Sequence, residues 1–397
     1  MTRTTERHRV SPIAVIAIAQ LLGTSLWFSA NSAAEGLMHA WGATAADIGL
    51  LTNAVQIGFI AGTLVMSLGG LADRFTASAT FVVSAVAGAV FNLGFAWLAQ
   101  DIATGAAFRF LVGLSLAGIY PIGMKMIVSW APDRAGQSLA LLVAMLTLGT
   151  GLPHLLRATA GELPWQWVVA SSSILAVIGA AMIRALGDGP HLAPPARRHA
   201  KGRPAALRAF AIPDFRAAAF GYFGHMWELY AFWTIVPVLV AATGLATEYP
   251  ALGVSGLSFL IIAAGAIGCL VGGSVARTVG SAPVAIAALI LSGTCAVGVA
   301  AFWQLLSPNW LLALLLVWGA TVVADSPQFS ALSARSCPQD AIGASLAIQN
   351  AIGFAITVVS ITLTTALFQR IGPAAVWLLV PGPLVGILTC RRLVRTS

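Results

Sequence analysis

Four side chains of this sequence carry, or can carry, charge in stretches otherwise too apolar for it: Arg109, His225, Glu228 and Asp325. At membrane depth an ionisable group costs about 2.5–3.5 kcal/mol or more, so each demands a partner or a task. His225 and Glu228 stand three residues apart, close to one helical turn, on a face shared with Phe232. An imidazole beside a carboxyl can take up, relay and release a proton. The same two groups could equally form a static bridge between helices. Asp325 lies on a stripe with Trp318 and Thr321 and offers the same chemistry, or the simpler one of a helix-end residue. Arg109 shares a stripe with Gly113, Leu116 and Tyr120 and fits a counter-ion or a fixed cavity charge.

Neutral polar residues extend the pattern. Gln20, Thr24, Trp27 and Asn31 fall at i, i+4, i+7 and i+11, one stripe of a helix. Gln349 and Asn350 could reach a solute or bond between helices. Tyr120, Tyr222, Tyr230, Trp27, Trp227 and Trp318 suit a planar or amphipathic organic solute, though some must be ordinary packing. Thr147, Thr150, His154 and Arg157 share one side of a further segment, with Arg157 near enough to its end to snorkel.

The elements that must position these residues follow from composition. The chain has 397 residues, 58% apolar and 9% charged, with mean hydropathy +0.89. Soluble domains carry about 25% charged residues, so most of this surface must face lipid. Apolar runs predict twelve membrane spans, numbered 1 to 12 in chain order. They cover 12–34, 46–69, 77–98, 104–128, 136–158 and 164–186, then 213–241, 251–276, 280–303, 309–328, 341–367 and 374–390. Arg3–Arg9 before an apolar run resembles an export signal, but that run is too long and is needed as span 1.

The chain repeats itself. Gly69–Ala79 reads GGLADRFTASA and Gly272–Ala282 reads GGSVARTVGSA, and Pro121 and Pro132 recur as Pro327 and Pro338, 206 residues on. The predicted domains are therefore a six-helix bundle over 1–186, a proline-rich basic linker over 187–212 and a second bundle over 213–397. Of the 21 basic residues, all but Arg109, Lys125, Arg157 and Arg370 fall on one side of such a topology. That side is expected to be cytoplasmic, with both termini there, which explains the +8 charge without invoking nucleic acid. Cys269, Cys295, Cys337 and Cys390 form no metal-ligand spacing, and no disulfide is expected.

The loop between spans 2 and 3 resembles that of the major facilitator superfamily, which reads Gly-x-Leu-Ala-Asp-Arg-x-Gly-Arg-Arg. Gly69, Leu71, Ala72, Asp73 and Arg74 match it, while Thr76, Ala77 and Ser78 replace the glycine and basic pair. Arg109 and Gly113 match the family's span 4 motif. The resemblance covers the whole length and implies an all-α membrane protein, twelve spans in two pseudo-symmetric bundles. It implies a cavity lined by spans 1, 4, 7 and 10, all of which bear polar stripes here. It also implies that Gly69, Asp73 and Arg74 form a gating motif, Asp73 answering the N-terminus of span 11, and that Arg109 takes part in proton handling. The second copy has Ala276 in place of Asp73, so such a lock is one-sided.

The function expected is secondary transport of a small organic solute by alternating access, coupled to protons through Glu228, His225, Asp325 and Arg109. The substrate cavity is assigned to Gln20, Thr24, Trp27, Asn31, Tyr120, Tyr222, Trp318, Gln349 and Asn350. Two alternatives are a multidrug/proton antiporter and a non-transporting assembly factor. Gly149-Thr150-Gly151-Leu152-Pro153-His154 is only a distorted echo of the exporters' span 5 motif, and span 1 has no acid. With only Lys125 and Lys201 there is no phosphate-binding loop, and no paired acids or Ser–His arrangement suggest an enzyme. The expected partners are the solute, protons and the lipid of a cell inner membrane. No cofactor, metal or nucleic acid is expected, and the protein is expected to act as a monomer.

Overall fold

The computed structural model of the protein describes residues 11–68, 74–132, 135–161, 163–192, 209–337 and 342–395. Among the described residues ten apolar helical stretches are long enough to cross a membrane, and a shorter apolar helix, Pro12–Thr24, precedes them. The last stretch, Ser345–Val394, is two spans folded back on each other at Gly372, whose φ of 60° only glycine adopts without strain. With those two counted separately the helices make twelve spans in two six-helix bundles. Gly69 and Asp73 of the expected gating motif, and Ala341, lie outside the described residues, whereas Arg74 is exposed.

Three spans differ from the continuous rods that apolar runs suggest. Span 1 is helical over Pro12–Thr24, Ser29–Ser32 and Ala34–Trp41, with a turn at 25–28. Its hydroxyls bond back to preceding carbonyls: Thr24 to Gln20, Ser25 to Leu22, Ser29 to Leu26 and Ser32 to Ser29. Such bonds compete with the helix ladder and bend it. Span 4 comprises Ile102–Leu116 and Tyr120–Trp130, and span 10 comprises Pro308–Thr321 and Ser326–Arg335. Pro121 and Pro327 open the second halves of these spans, where a missing N–H costs least. Span 12 enters as a 3-10 helix, Gly372–Leu379, before Pro381–Arg395. The other spans are Ala45–Leu68 (span 2), Ala77–Trp97 (3), Ala135–Thr159 (5), Trp165–Leu186 (6), Pro213–Ala242 (7), Gly253–Val279 (8), Ser281–Phe302 (9) and Ile342–Ile371 (11).

Glycines set the closest approaches, and they do so twice over. A Cβ on Gly113 of span 4 would lie 2.0 Å from the Val55 carbonyl oxygen of span 2. A Cβ on Gly319 of span 10 would lie 1.9 Å from that of Ile261 in span 8. Both members of the second pair are the first pair displaced by 206 residues. The same displacement relates Gly62 against the Leu114 carbonyl to Gly268 against the Ala320 carbonyl. Small residues that let backbones touch are the usual means of helix packing in lipid.

The bundles meet along two seams, span 2 with span 11 and span 5 with span 8. In the first, Asn53 donates to Thr362 at 2.8 Å, and Gly49 makes room for the Thr365 side chain. In the second, Gly151 faces Ile262, and Gly265 lies against Thr147. At the end where span 7 begins, Arg392 of span 12 bonds Asp214 at 3.0 Å.

Candidate functional site

A cavity of about 40 Å³ lies between the bundles. Tyr120 and Met124 of span 4 line it, with Val143 and Leu146 of span 5. Span 7 contributes Tyr222, His225, Met226, Leu229, Tyr230 and Trp233. Val323, Ser326 and Ser330 of span 10 and Asn350 and Phe354 of span 11 complete it. A space this small holds a few waters, whereas small-molecule sites run to about 300 Å³ or more, so the cavity is contracted. Beside it, Trp27 packs on Phe59, Tyr230 and Phe354 with ring centroids 4.9, 5.7 and 5.8 Å away. Phe28 meets Trp233 edge-on at 6.0 Å. These rings come from both bundles, and Tyr230, Phe354 and Trp233 among them also line the cavity.

His225 and Asp325 form the charged part of the wall. Their Nδ1 and Oδ1 are 2.8 Å apart and both side chains are buried, so spans 7 and 10 are joined at this point. Asp325 stands where span 10 is interrupted, just before Ser326–Arg335, and its negative charge also answers that helix's N-terminus. The Nδ1–Oδ1 contact is at ion-pair distance without hydrogen-bond geometry, and His225 Nε2, on the other edge of the ring, and Trp233 Nε1 have no hydrogen-bond partner either. Both groups belong to residues lining the cavity.

Glu228 goes elsewhere. Its carboxylate accepts from Ser292 Oγ of span 9 at 2.9 Å and from Trp318 Nε1 of span 10 at 2.7 Å. Phe232 packs on the Trp318 ring with centroids 4.2 Å apart. Glu228 is thus buried inside the second bundle, separate from the cavity-lining set.

Arg109 is also turned away from the cavity. Its guanidinium donates to Ser29 Oγ at 3.1 Å, to Asn92 Oδ1 at 2.9 Å, and to the carbonyls of Leu26 and Trp27. The latter two are carbonyls released by the turn in span 1, and the Phe95 ring covers the cation at 5.6 Å. Asn92 of span 3 passes the network on to Val169 and Ser173 of span 6. One arginine therefore ties spans 1, 3 and 4 together, and through Asn92 span 6. No carboxylate is bound to it in the described structure.

Of the residues assigned to the cavity from sequence, Tyr120, Tyr222 and Asn350 line it. Trp27 lies one layer out and donates to Gln56 at 3.2 Å. Asn31 bonds Thr52, Thr24 bonds the Gln20 carbonyl, and Trp318 serves Glu228. The Gln20 amide and Gln349 Oε1 are buried with no hydrogen-bond partner. His154 Nε2 is likewise buried and without a partner, and Arg157 bonds the Leu163 carbonyl at 2.9 Å. Sequence reasoning missed Trp233, Ser326, Ser330 and Phe354 in the wall, and Ser29, Asn92 and Ser292 as partners of the buried charges. Asn92 and Ser292 did carry a signal, each being a polar residue in an otherwise apolar run.

The same fold is found in the proton:xylose symporter XylE bound to 6-bromo-6-deoxy-D-glucose, with a TM-score of 0.74 and 14% identity over 97% of this chain and 95% of that one. A partially occluded inward open conformation of XylE from E. coli matches with a TM-score of 0.72, also at 14% identity, over 96% and 95%. Among sequences, solute carrier family 22 member 20 of Mus musculus is 33% identical over 126 residues, 30% of this chain and 21% of that protein. The niacin transporter NiaP of Acinetobacter baylyi is 33% identical over 121 residues, 28% of this chain and 25% of its own length. The matched segment thus spans about a quarter or less of these two relatives. Residues 16–386 match the model of the Major Facilitator Superfamily, and the chain belongs to that superfamily of transporters.

Proposed function

We propose that the protein is a secondary carrier, moving a small organic solute by alternating access and coupling that movement to protons. The observation that carries this reading is the His225–Asp325 contact, which joins spans 7 and 10 in the wall of the cavity between the bundles. An imidazole at ion-pair distance from a carboxylate, with neither ring nitrogen hydrogen-bonded, can exchange a proton when the cavity opens. Glu228, one turn away, is the second carboxyl available to the cycle, and Arg109 fixes the bend of span 1 against which the rocking occurs. The rocking bodies are taken as 1–186 and 213–397, with 187–212 as a cytoplasmic linker, both termini cytoplasmic and the protein a monomer in a cell inner membrane. Gly69, Asp73 and Arg74 are assigned to the gate on that side. The superfamily assignment and the burial of two carboxyls at membrane depth support the reading.

Proteoliposomes holding a pH dye and challenged with a panel of metabolites test it. A solute that acidifies or alkalinises the lumen with the wild type, and is moved without any pH change by Asp325→Asn, is the expected outcome. Glu228→Gln separates the two carboxyls, since loss of proton movement in it alone assigns coupling to the second bundle's interior. Solute flux that never moves a proton in the wild type rejects coupling and leaves a uniporter or exchanger.

A further inference from the structure

The carrier reading leaves the solute open, and the cavity wall narrows it. Among the described residues no lysine or arginine lines the cavity. The two terminal nitrogens of Arg109 donate to Ser29, Asn92 and two carbonyls of span 1. What the wall does hold is His225 backed by Asp325, three tyrosines, Trp233 and Phe354. With the ring neutral, the His225–Asp325 pair carries one negative charge, and with a second proton on the ring it carries none. In neither state does a solute anion meet net positive charge, whereas a cation meets a carboxylate in one of them and aromatic faces in both.

Two buried side chains on the wall, His225 and Trp233, carry nitrogens without hydrogen-bond partners, and they are complementary. With Nδ1 turned to Asp325, His225 Nε2 is free to accept, while Trp233 Nε1 can only donate. Eight residues of helix separate them, roughly 12 Å along the axis. We infer that the carrier's solute is a ring-bearing organic cation, its ammonium donating to His225 Nε2 with Asp325 behind, and a hydrogen-bond acceptor at its other end meeting Trp233 Nε1. The ring lies among the tyrosines between these two points. The contracted cavity must widen to admit it, which the parting of the bundles supplies. This inference rests on the carrier reading but concerns binding alone.

Three probes of one shape test it: 5-methoxytryptamine, 5-methoxytryptophol and 5-methoxyindole-3-acetate, respectively cationic, neutral and anionic. Binding of each is measured by equilibrium dialysis on the full chain in nanodiscs, with no gradient. The amine is expected to bind about tenfold tighter than the alcohol, as one charge-assisted hydrogen bond allows, and the acid most weakly. Asp325→Asn is expected to bring the amine down to the alcohol and leave the alcohol unchanged, which also shows that the variant is folded. Trp233→Phe is expected to weaken all three alike. If that asparagine variant does not fold, the order of the wild type decides by itself. Equal or tighter binding of the acid, an amine preference that survives in Asp325→Asn, or no binding of any probe overturns the inference. Binding of the amine without gradient-driven flux would instead reject the carrier reading and leave the site standing.

Discussion

At the scale of single residues, the charges in this protein divide by what they face. His225 and Glu228 sit one turn apart, yet three residues rotate a helix by about 300°, enough to send them to different neighbours. His225 reaches Asp325 at the cavity wall, and Glu228 reaches Ser292 and Trp318 inside the second bundle. That separation was not legible in sequence, because it depends on how span 7 is rotated against spans 9 and 10. Arg109 was legible as a buried charge but not as a knot, since its partners Ser29 and Asn92 lie 80 and 17 residues away. The knot makes a firm prediction. Arg109→Lys keeps the charge but cannot span four acceptors with a planar fork. It is expected to cost about 3 kcal/mol through carbonyls and an amide left unsatisfied, read as a lower melting temperature in detergent or nanodiscs. An unchanged melting temperature would show that the guanidinium's contacts contribute nothing to the fold.

At the scale of elements, the sequence located most spans to within a few residues but not their continuity, and spans 1 and 10 run on to Trp41 and Arg335, past the expected ends at 34 and 328. Apolar runs mark where a helix crosses lipid, and the repeated prolines mark where spans 4 and 10 are interrupted. The turn in span 1 has no such mark, because Thr24, Ser25 and Ser29 read as ordinary polar residues until their hydroxyls are seen on preceding carbonyls. The glycine seams give a second prediction. Gly113→Ala and Gly319→Ala each push a methyl group onto a backbone carbonyl, which cannot move aside as a side chain can. Each is expected to destabilise its bundle by about 1–3 kcal/mol. Because the two contacts lie in different bundles, the double variant should show the sum to within about 0.5 kcal/mol. A double variant no worse than the worse single one would mean that the two bundles unfold as separate units.

At the scale of the whole molecule, two seams hold the bundles together and rings from both pack beside the cavity. Asn53 and Thr362 lie at hydrogen-bond distance across the first seam. Replacing both by cysteine and bridging them with a short bifunctional thiol reagent is expected to stop flux, and cleaving the linker to restore it. The four native cysteines are buried and should react poorly under the same conditions. Full flux in the bridged protein would mean that this seam need not open during transport. The paired contacts of Gly113 with Val55 and Gly319 with Ile261 have a further consequence, one of inheritance. They are met by main-chain oxygens, which every residue possesses, so the frame does not depend on which side chains surround it. Arg109, His225, Glu228 and Asp325 have no charged counterparts at the corresponding places in the other half. A duplicated gene could thus keep its mechanics in both copies while each copy acquired its own chemistry, and cargo could change without the scaffold being invented again.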